Sequence, residues 1–347
     1  MSQASAHGEH TASSNSEVSP TAIVDAILGY HKTAAMKAAI GLDLFTAIAR
    51  GSNTVAELAD QCSSSQRGIR SLCDYLTVFG FLDKDAAGYA LTPSAAVFLD
   101  QDSPAYMGSV VDFFASSEHV DLFLTDPVAF VKNGGAVEMG GVAPDNPVWV
   151  KFAKAMIPFI TPCANGVAAE VASWSRAPRK VLDIAAGHGI FGITVAKALP
   201  NAEIVAVDWK SVLALAELNA VTAGVQGRYR TLPGSAFEVD WGSGYDLILL
   251  PNFLHHFDRP TCVDLLKKVR SSLGNDGRAV AVEFVPNEDR VSPPFPASFS
   301  FHMLATTPKG DAYTRSELAE MAANAGFQGV TLKPLPPSPQ SLVVLEL

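Results

Sequence analysis

The stretch Lys180-Val181-Leu182-Asp183-Ile184-Ala185-Ala186-Gly187-His188-Gly189-Ile190-Phe191-Gly192 constrains the fold more than any other. A short apolar run enters a glycine-rich turn, and Ile193 to Leu199 continue as an alternating apolar pattern, which reads as strand, tight loop, helix. Gly187 and Gly189 lack a Cβ, so the loop can turn sharply and let a ligand approach its backbone, while the helix N-terminus points N–H groups at whatever is bound. The expectation is a nucleotide pocket.

Two ligands compete for it. Gly187, Gly189 and Gly192 satisfy G-x-G-x-x-G, and Asp208, closing the next strand (Ala202 to Val207), lies at the roughly 20-residue distance of a dinucleotide fingerprint. Asp183 favours the other reading. A carboxylate ending the first strand is poorly placed beside a pyrophosphate and well placed for a ligand carrying an amine and a sulfonium, which describes S-adenosylmethionine. The bland alternative for Asp183 is a carboxylate that caps a helix or braces the loop. Asp208, at the crevice of a doubly wound sheet, is suited to ribose hydroxyls, with Trp209 beside it.

Downstream the pattern alternates. Strands are expected at Lys180 to Ile184, Glu203 to Val207, Gly227 to Thr231, Tyr245 to Leu250, Arg278 to Phe284 and, as a closing hairpin, Gln328 to Lys333 with Leu342 to Glu346. Helices fall at Val212 to Ala223, Pro260 to Leu273 and Thr314 to Ala325. Such alternation implies a largely parallel α/β sheet covered on both faces, and the hairpin makes one final strand antiparallel. The fourth strand runs into Leu254-His255-His256-Phe257. Histidine at a strand end suits proton removal near neutral pH, and a phenol of pKa about 10 needs a positioned base to become a good nucleophile.

Upstream, Met1 to Pro20 lack apolar periodicity and read as a disordered tail. From Thr21 to Asp100, Ile23, Ile27, Tyr30 and Ala34 share a face of a first helix and Thr54 to Ala59 form a short helix. Ile69, Leu72, Leu76 and Phe79 align on the buried face of the next, and Phe81 to Asp83 with Tyr89 to Leu91 complete a winged helix-turn-helix. A DNA regulator is the rival from another class. These 80 residues hold six Lys or Arg against eight Asp or Glu, short of the basic footprint that neutralising phosphates requires. Residues 101–175 connect the two parts, with Gly134-Gly135 and Gly140-Gly141 bracketing a loop and Phe113, Phe114, Phe123 and Phe130 filling a core or lining a cavity.

Asp183-x-Ala185-x-Gly187-x-Gly189, Asp208 and Leu254-His255-His256-Phe257 together resemble the S-adenosylmethionine-dependent small-molecule O-methyltransferases, the group of caffeate-type plant enzymes and bacterial natural-product enzymes. The resemblance runs from about Thr21 to Leu347. It implies a doubly wound Rossmann-like methyltransferase sheet, an N-terminal α-helical winged-helix domain (21–100) that forms a homodimer, a connecting segment (101–175) contributing to the substrate cavity, and a cofactor-binding domain (176–347). It further implies His255 as the base, Glu283 as the acid orienting it, and a second acidic position occupied here by Ala312, for which Asp311 is the neighbouring substitute. Ser235-Ala236-Phe237 fall where an aspartate and an apolar pair hold adenine, and Asn252 follows Pro251, which replaces a lysine. Phe152, Met156, His256, His302 and Met303 are the candidates to border the acceptor.

The chain's 347 residues suffice for two cores. A formal net charge of −10 disfavours nucleic acid and anionic membrane as partners. No uninterrupted apolar run reaches a membrane span, the N-terminus shows no signal pattern, and a cytoplasmic location follows by default. Cys62, Cys73, Cys163 and Cys262 are too scattered for a zinc site or disulfide framework, and no metal is expected. The expected chemistry is methyl transfer to a hydroxyl of a small aromatic acceptor. Methylation of nitrogen or carbon, or a cofactor-retaining reaction without methyl transfer, stays open on the same fold.

Overall fold

The computed structural model describes residues 18–137 and 147–347. The expected tail up to residue 17 and the Gly140-Gly141 pair lie outside the described residues.

The N-terminal part begins with α1 (Thr21–Ile27), α2 (Tyr30–Gly41), α3 (Leu44–Ala49), α4 (Val55–Gln61) and α5 (Gln66–Val78). An antiparallel hairpin of β1 (Leu82–Lys84) and β2 (Tyr89–Leu91) and the short α6 (Pro93–Phe98) follow. Leu44, Phe45, Leu58, Ile69, Cys73, Leu76 and Leu82 form its core. Three expectations are corrected. Ile23, Ile27 and Tyr30 do not lie on one continuous helix, because the chain turns at Leu28-Gly29, and all three are exposed. Phe79 is the exposed C-cap of α5, and Cys73 takes an inward position on that helix. Thr54 is the N-cap of α4 rather than its first residue. Its hydroxyl accepts from the Glu57 N–H and the Glu57 carboxylate accepts from the Thr54 N–H at 3.0 Å, so two otherwise orphan donors are satisfied.

The connecting region holds α7 (Val111–Phe114), α8 (Ser117–Leu124), α9 (Pro127–Asn133) and the 26-residue α10 (Pro147–Ala172). Among the described residues α10 is the one helix long and apolar enough to cross a membrane. Here Ala153, Met156, Ile160, Cys163, Val167 and Val171 are buried, in a helix that packs against α11 (Ile190–Ala198).

The second domain is a seven-stranded sheet of β3 (Lys180–Ile184), β4 (Glu203–Asp208), β5 (Tyr229–Pro233), β6 (Tyr245–Pro251), β7 (Leu273–Glu283), β8 (Gly329–Pro334) and β9 (Ser341–Glu346). Its spatial order is β5-β4-β3-β6-β7-β9-β8, parallel except that β9 runs antiparallel to both β7 and β8. The remaining helices are α12 (Lys210–Thr222), α13 (Arg259–Ser272), α14 (Pro294–Thr306) and α15 (Arg315–Asn324). Buried clusters on the two faces share the near-continuous apolar runs of β3, β4 and β6, the pattern of strands covered from both sides. The strand expected at Gly227 to Thr231 is β5, shifted by two residues because Gln226–Arg228 form a 3-10 turn, whose Arg228 guanidinium donates to the carbonyls of Ala196, Leu199 and Ala202. Strand order reverses between β3 and β6. Ligands bind outside the carboxyl ends of strands at such a switch point, which here brings the glycine loop beside the turn bearing His255.

Candidate active site

The glycine loop leaves β3 through Ala185, which holds a left-handed φ of 53°, a conformation that glycine adopts without a Cβ penalty. Gly189 has no such freedom to lose. Its φ is 76°, and a Cβ there would sit 2.5 Å from the Tyr229 hydroxyl and 2.9 Å from Ala216. A Cβ on Gly192 would meet the Asp183 carboxylate at 2.8 Å, so close helix-to-strand packing requires that glycine.

Asp183 is fully buried. Its Oδ2 accepts the Gly192 N–H at 2.9 Å, which is the loop-bracing role, while Oδ1 has no hydrogen-bond partner. Burial, and secondarily Asp208, push its carboxyl up to about 7, against the Gly192 hydrogen bond. A buried acceptor left unpaired is costly, and a ligand ammonium would satisfy it. Asp208 closes β4 half-buried, its two oxygens accepting from Gly187 at 2.7 Å and Trp209 at 2.6 Å. This carboxylate therefore shapes the loop, and its remaining lone pairs are what a ribose could use. Ala236 is buried and Ser235 half-buried, its hydroxyl accepting the Phe237 N–H at 3.2 Å, and the Phe237 ring stays partly exposed beside Phe257 and Phe253. An unpaired carboxylate oxygen, a glycine loop with N–H groups and an open aromatic face fit S-adenosylmethionine. His188 was not singled out by sequence. Its Nδ1 accepts the Ile190 N–H at 3.1 Å, bracing the start of α11, and burial pushes it down to about 4.

Asn252 lies at the other lip, with φ 54°, and its side-chain oxygen accepts from Gln340. The next turn, Leu254–His256, presents a buried pair: His255 Nδ1 lies 2.6 Å from Glu283 Oε2. Glu283 Oε1 accepts from the N–H groups of Phe253 at 3.2 Å and Leu254 at 2.9 Å. One carboxylate thus holds both the imidazole and the turn that carries it.

Asp311 does not provide a second carboxylate on the His255 ring. Its Oδ1 accepts from Ser300 at 2.5 Å and from the Ala312 N–H at 2.8 Å, and its Oδ2 pairs with Arg290 at 3.3 Å. What it offers His255 is its backbone N–H, donated to the His255 carbonyl at 3.0 Å.

Chains of ring contacts link His255, through His256 and Phe299, to aromatic rings from three distant segments. Phe152 meets Phe113 edge-on at 4.9 Å, and His256 lies 6.1 Å from Trp149 with its Nδ1 unpartnered. Burial, then the neighbouring His255 and His302, hold His256 well below the usual histidine range. Phe299 stands 5.0 Å from His255 and stacks on His302 at 5.4 Å, and His302 in turn lies 5.3 Å from His119. Met303 and Met156 are buried, the latter in the core cluster that α10 shares with α11. Sequence reasoning missed Trp149, His119 and Phe299. Pro147 and the aromatic spacing were visible, but no periodicity said which rings would converge.

A model of the O-methyltransferase domain matches residues 123–328, and one of the O-methyltransferase dimerisation domain matches residues 24–101. A crystal structure described as a putative O-methyltransferase from Nostoc punctiforme superposes with a TM-score of 0.90 at 47% identity, covering 95% of this chain and 99% of that one. The 3-hydroxy-5-methyl-1-naphthoate 3-O-methyltransferase of Streptomyces sahachiroi is 28% identical over 90% of each chain. The 3-amino-4-hydroxybenzoate 4-O-methyltransferase of Streptomyces cremeus is 27% identical over 90% of this chain and 87% of its own. Human N-acetylserotonin methyltransferase in complex with SAM shares the fold at a TM-score of 0.80 and 18% identity, over 96% of this chain and 99% of that one. With more than half of its length inside the catalytic-domain match and the glycine loop fitted to the cofactor, the chain belongs to the S-adenosylmethionine-dependent O-methyltransferases.

Proposed function

We propose that the protein methylates a hydroxyl of a small aromatic molecule, with His255 as the general base. The observation that carries this reading is the buried His255–Glu283 pair at 2.6 Å, set among aromatic rings at the sheet's switch point. S-adenosylmethionine supplies an electrophilic methyl on a sulfonium. Glu283 accepts from Nδ1, which keeps the proton on that nitrogen and leaves Nε2 with a lone pair to take the acceptor's hydroxyl proton. The imidazolium formed is then stabilised by the same carboxylate. Asp183, Asp208 and the loop N–H groups fix the cofactor end, while Phe152, Phe299, His302 and Trp149 confine the acceptor's ring so that oxygen, methyl carbon and sulfur can align. The named acceptors of the two Streptomyces relatives, a hydroxynaphthoate and a hydroxybenzoate, support an aromatic hydroxyl as the acceptor class.

His255→Ala is expected to lower single-turnover transfer of labelled methyl to a phenol panel by roughly 10²- to 10⁴-fold, with S-adenosylhomocysteine affinity unchanged. Glu283→Gln should lose less, because the imidazole is retained without its charged partner. Undiminished turnover in His255→Ala would remove the general-base mechanism.

A further inference from the structure

His119 on α8 is buried to 7% exposure and His302 on α14 is half-buried, and among the described residues neither imidazole has a hydrogen-bond partner. α14 packs on α8, which sets the two rings 5.3 Å apart with 31° between their planes. Phe114 and Phe123 flank both. Phe299 stands between this pair and the catalytic end, stacked on His302 with 9° between planes and edge-on to His255 at 85°. The two polar ends are therefore separated by one aromatic ring.

We propose that His119 and His302 form a second polar subsite for the acceptor, which takes an uncharged oxygen substituent, hydroxyl or carbonyl, across the aromatic nucleus from the hydroxyl presented to His255. The inference rests on the methyl-transfer reading above and names the substrate class within it. A neutral imidazole offers one donor and one acceptor, so the pair can both donate to and accept from one oxygen. Their nitrogens face accessible space rather than being sealed in the core, so an oxygen substituent can hydrogen-bond to them where a plain hydrocarbon edge would only displace their solvent.

Charge selects against a carboxylate at this end. Burial pushes His119 down to about 4, and burial with the neighbouring His119 and His255 pushes His302 down to about 3, so both stay neutral at physiological pH. The charged side chains of α7, α8 and α9 and of the first half of α10 are exposed to solvent, while Arg290 pairs with Asp311 and Glu317 and Glu283 with His255. An anion held here would be desolvated without a countercharge.

The test is calorimetry on the full chain saturated with S-adenosylhomocysteine, using 2-naphthol, 2,6-dihydroxynaphthalene and 6-hydroxy-2-naphthoate as probes. Binding rather than turnover keeps differences in phenol reactivity out of the comparison. The diol should bind roughly tenfold tighter than 2-naphthol, beyond the about twofold statistical advantage of two equivalent hydroxyls, and the naphthoate should bind less tightly than the diol. His119→Phe and His302→Phe, each keeping a ring in place, should bring the diol-to-naphthol ratio down to about twofold, and His119→Gln, which keeps a donor, should hold an intermediate ratio. A ratio unchanged in both Phe variants, or a naphthoate that binds tightest, overturns the subsite. Labelled-methyl transfer to the same phenols reports separately on the enclosing reading: the affinity pattern without any transfer would sink methylation of a phenol and leave the subsite standing.

Discussion

Asp183 commits one carboxylate oxygen to the fold and leaves the other without a partner. Oδ2 accepts the Gly192 N–H, while Oδ1 stays buried and unpaired, and burial lifts the carboxyl from 3.8 to about 7. The sign of the consequence follows from linkage: the native state binds this proton more tightly than the unfolded chain, so the stability it contributes is complete below about pH 4 and lost as pH rises through about 7. In Asp183→Asn that pH-dependent component disappears. Thermal unfolding of the ligand-free variant should therefore decline less between pH 5 and 7.5 than that of the parent. The same variant should bind S-adenosylhomocysteine roughly 10²-fold more weakly, because the ligand's ammonium loses its buried charged partner. Parallel pH profiles together with undiminished affinity would show that Asp183 only braces the loop.

At the level of elements, the Asp311 carboxylate bonds to Ser300, the Ala312 N–H and Arg290 rather than to the His255 ring. The segment after α14 delivers its N–H to the His255 carbonyl, and its carboxylate ties Ser300 on α14 and Arg290 on the preceding loop to that segment. Asp311→Ala should loosen α14 against the His255 turn and raise KM for the phenol by roughly three- to tenfold, the effect of losing about one hydrogen bond's worth of positioning, with kcat much less affected than in Glu283→Gln. A kcat loss equal to that of Glu283→Gln would restore Asp311 to the proton path. The expectation that it replaces the residue at Ala312 came from adjacency alone, and adjacency does not say which way a side chain turns. By contrast β3, the glycine loop and the His255 turn were legible, since apolar runs, turn residues and strand-end chemistry are local. Helix starts were off by a residue where a cap intervenes: Thr314 caps α15 through its own hydroxyl and Glu317, just as Thr54 caps α4. His119, Trp149 and Phe299 were illegible for the opposite reason. Their role depends on α8, α10 and α14 converging, and no single-segment pattern encodes that.

For the whole molecule, the N-terminal helices leave apolar surface that their own core does not use. Ile23 is 64% exposed, Ile27 67% and Val78 77%, although the domain already closes a core around Phe45, Leu58, Ile69 and Leu76. Apolar exposure on that scale marks an interaction surface, and the dimerisation-domain match over residues 24–101 points to a second copy as its occupant. Charge argues the same way. Asp74 on the helix that would read DNA accepts from Lys84 at 2.6 Å and Arg70 at 3.4 Å, so two of the domain's few cations are neutralised within it. A duplex would have to compete for them. Light scattering on the parent should give twice the chain mass. Ile27→Asp combined with Val78→Asp places charge at two exposed apolar positions of the domain, and should shift the equilibrium to monomer without disturbing the domain's core, because both side chains are exposed in the isolated chain. Unfolding should then become less dependent on protein concentration in the variant than in the parent, as loss of association requires. A parent that scatters as a monomer and retards duplex DNA at moderate salt would reverse the assignment and make the winged helix a nucleic-acid reader.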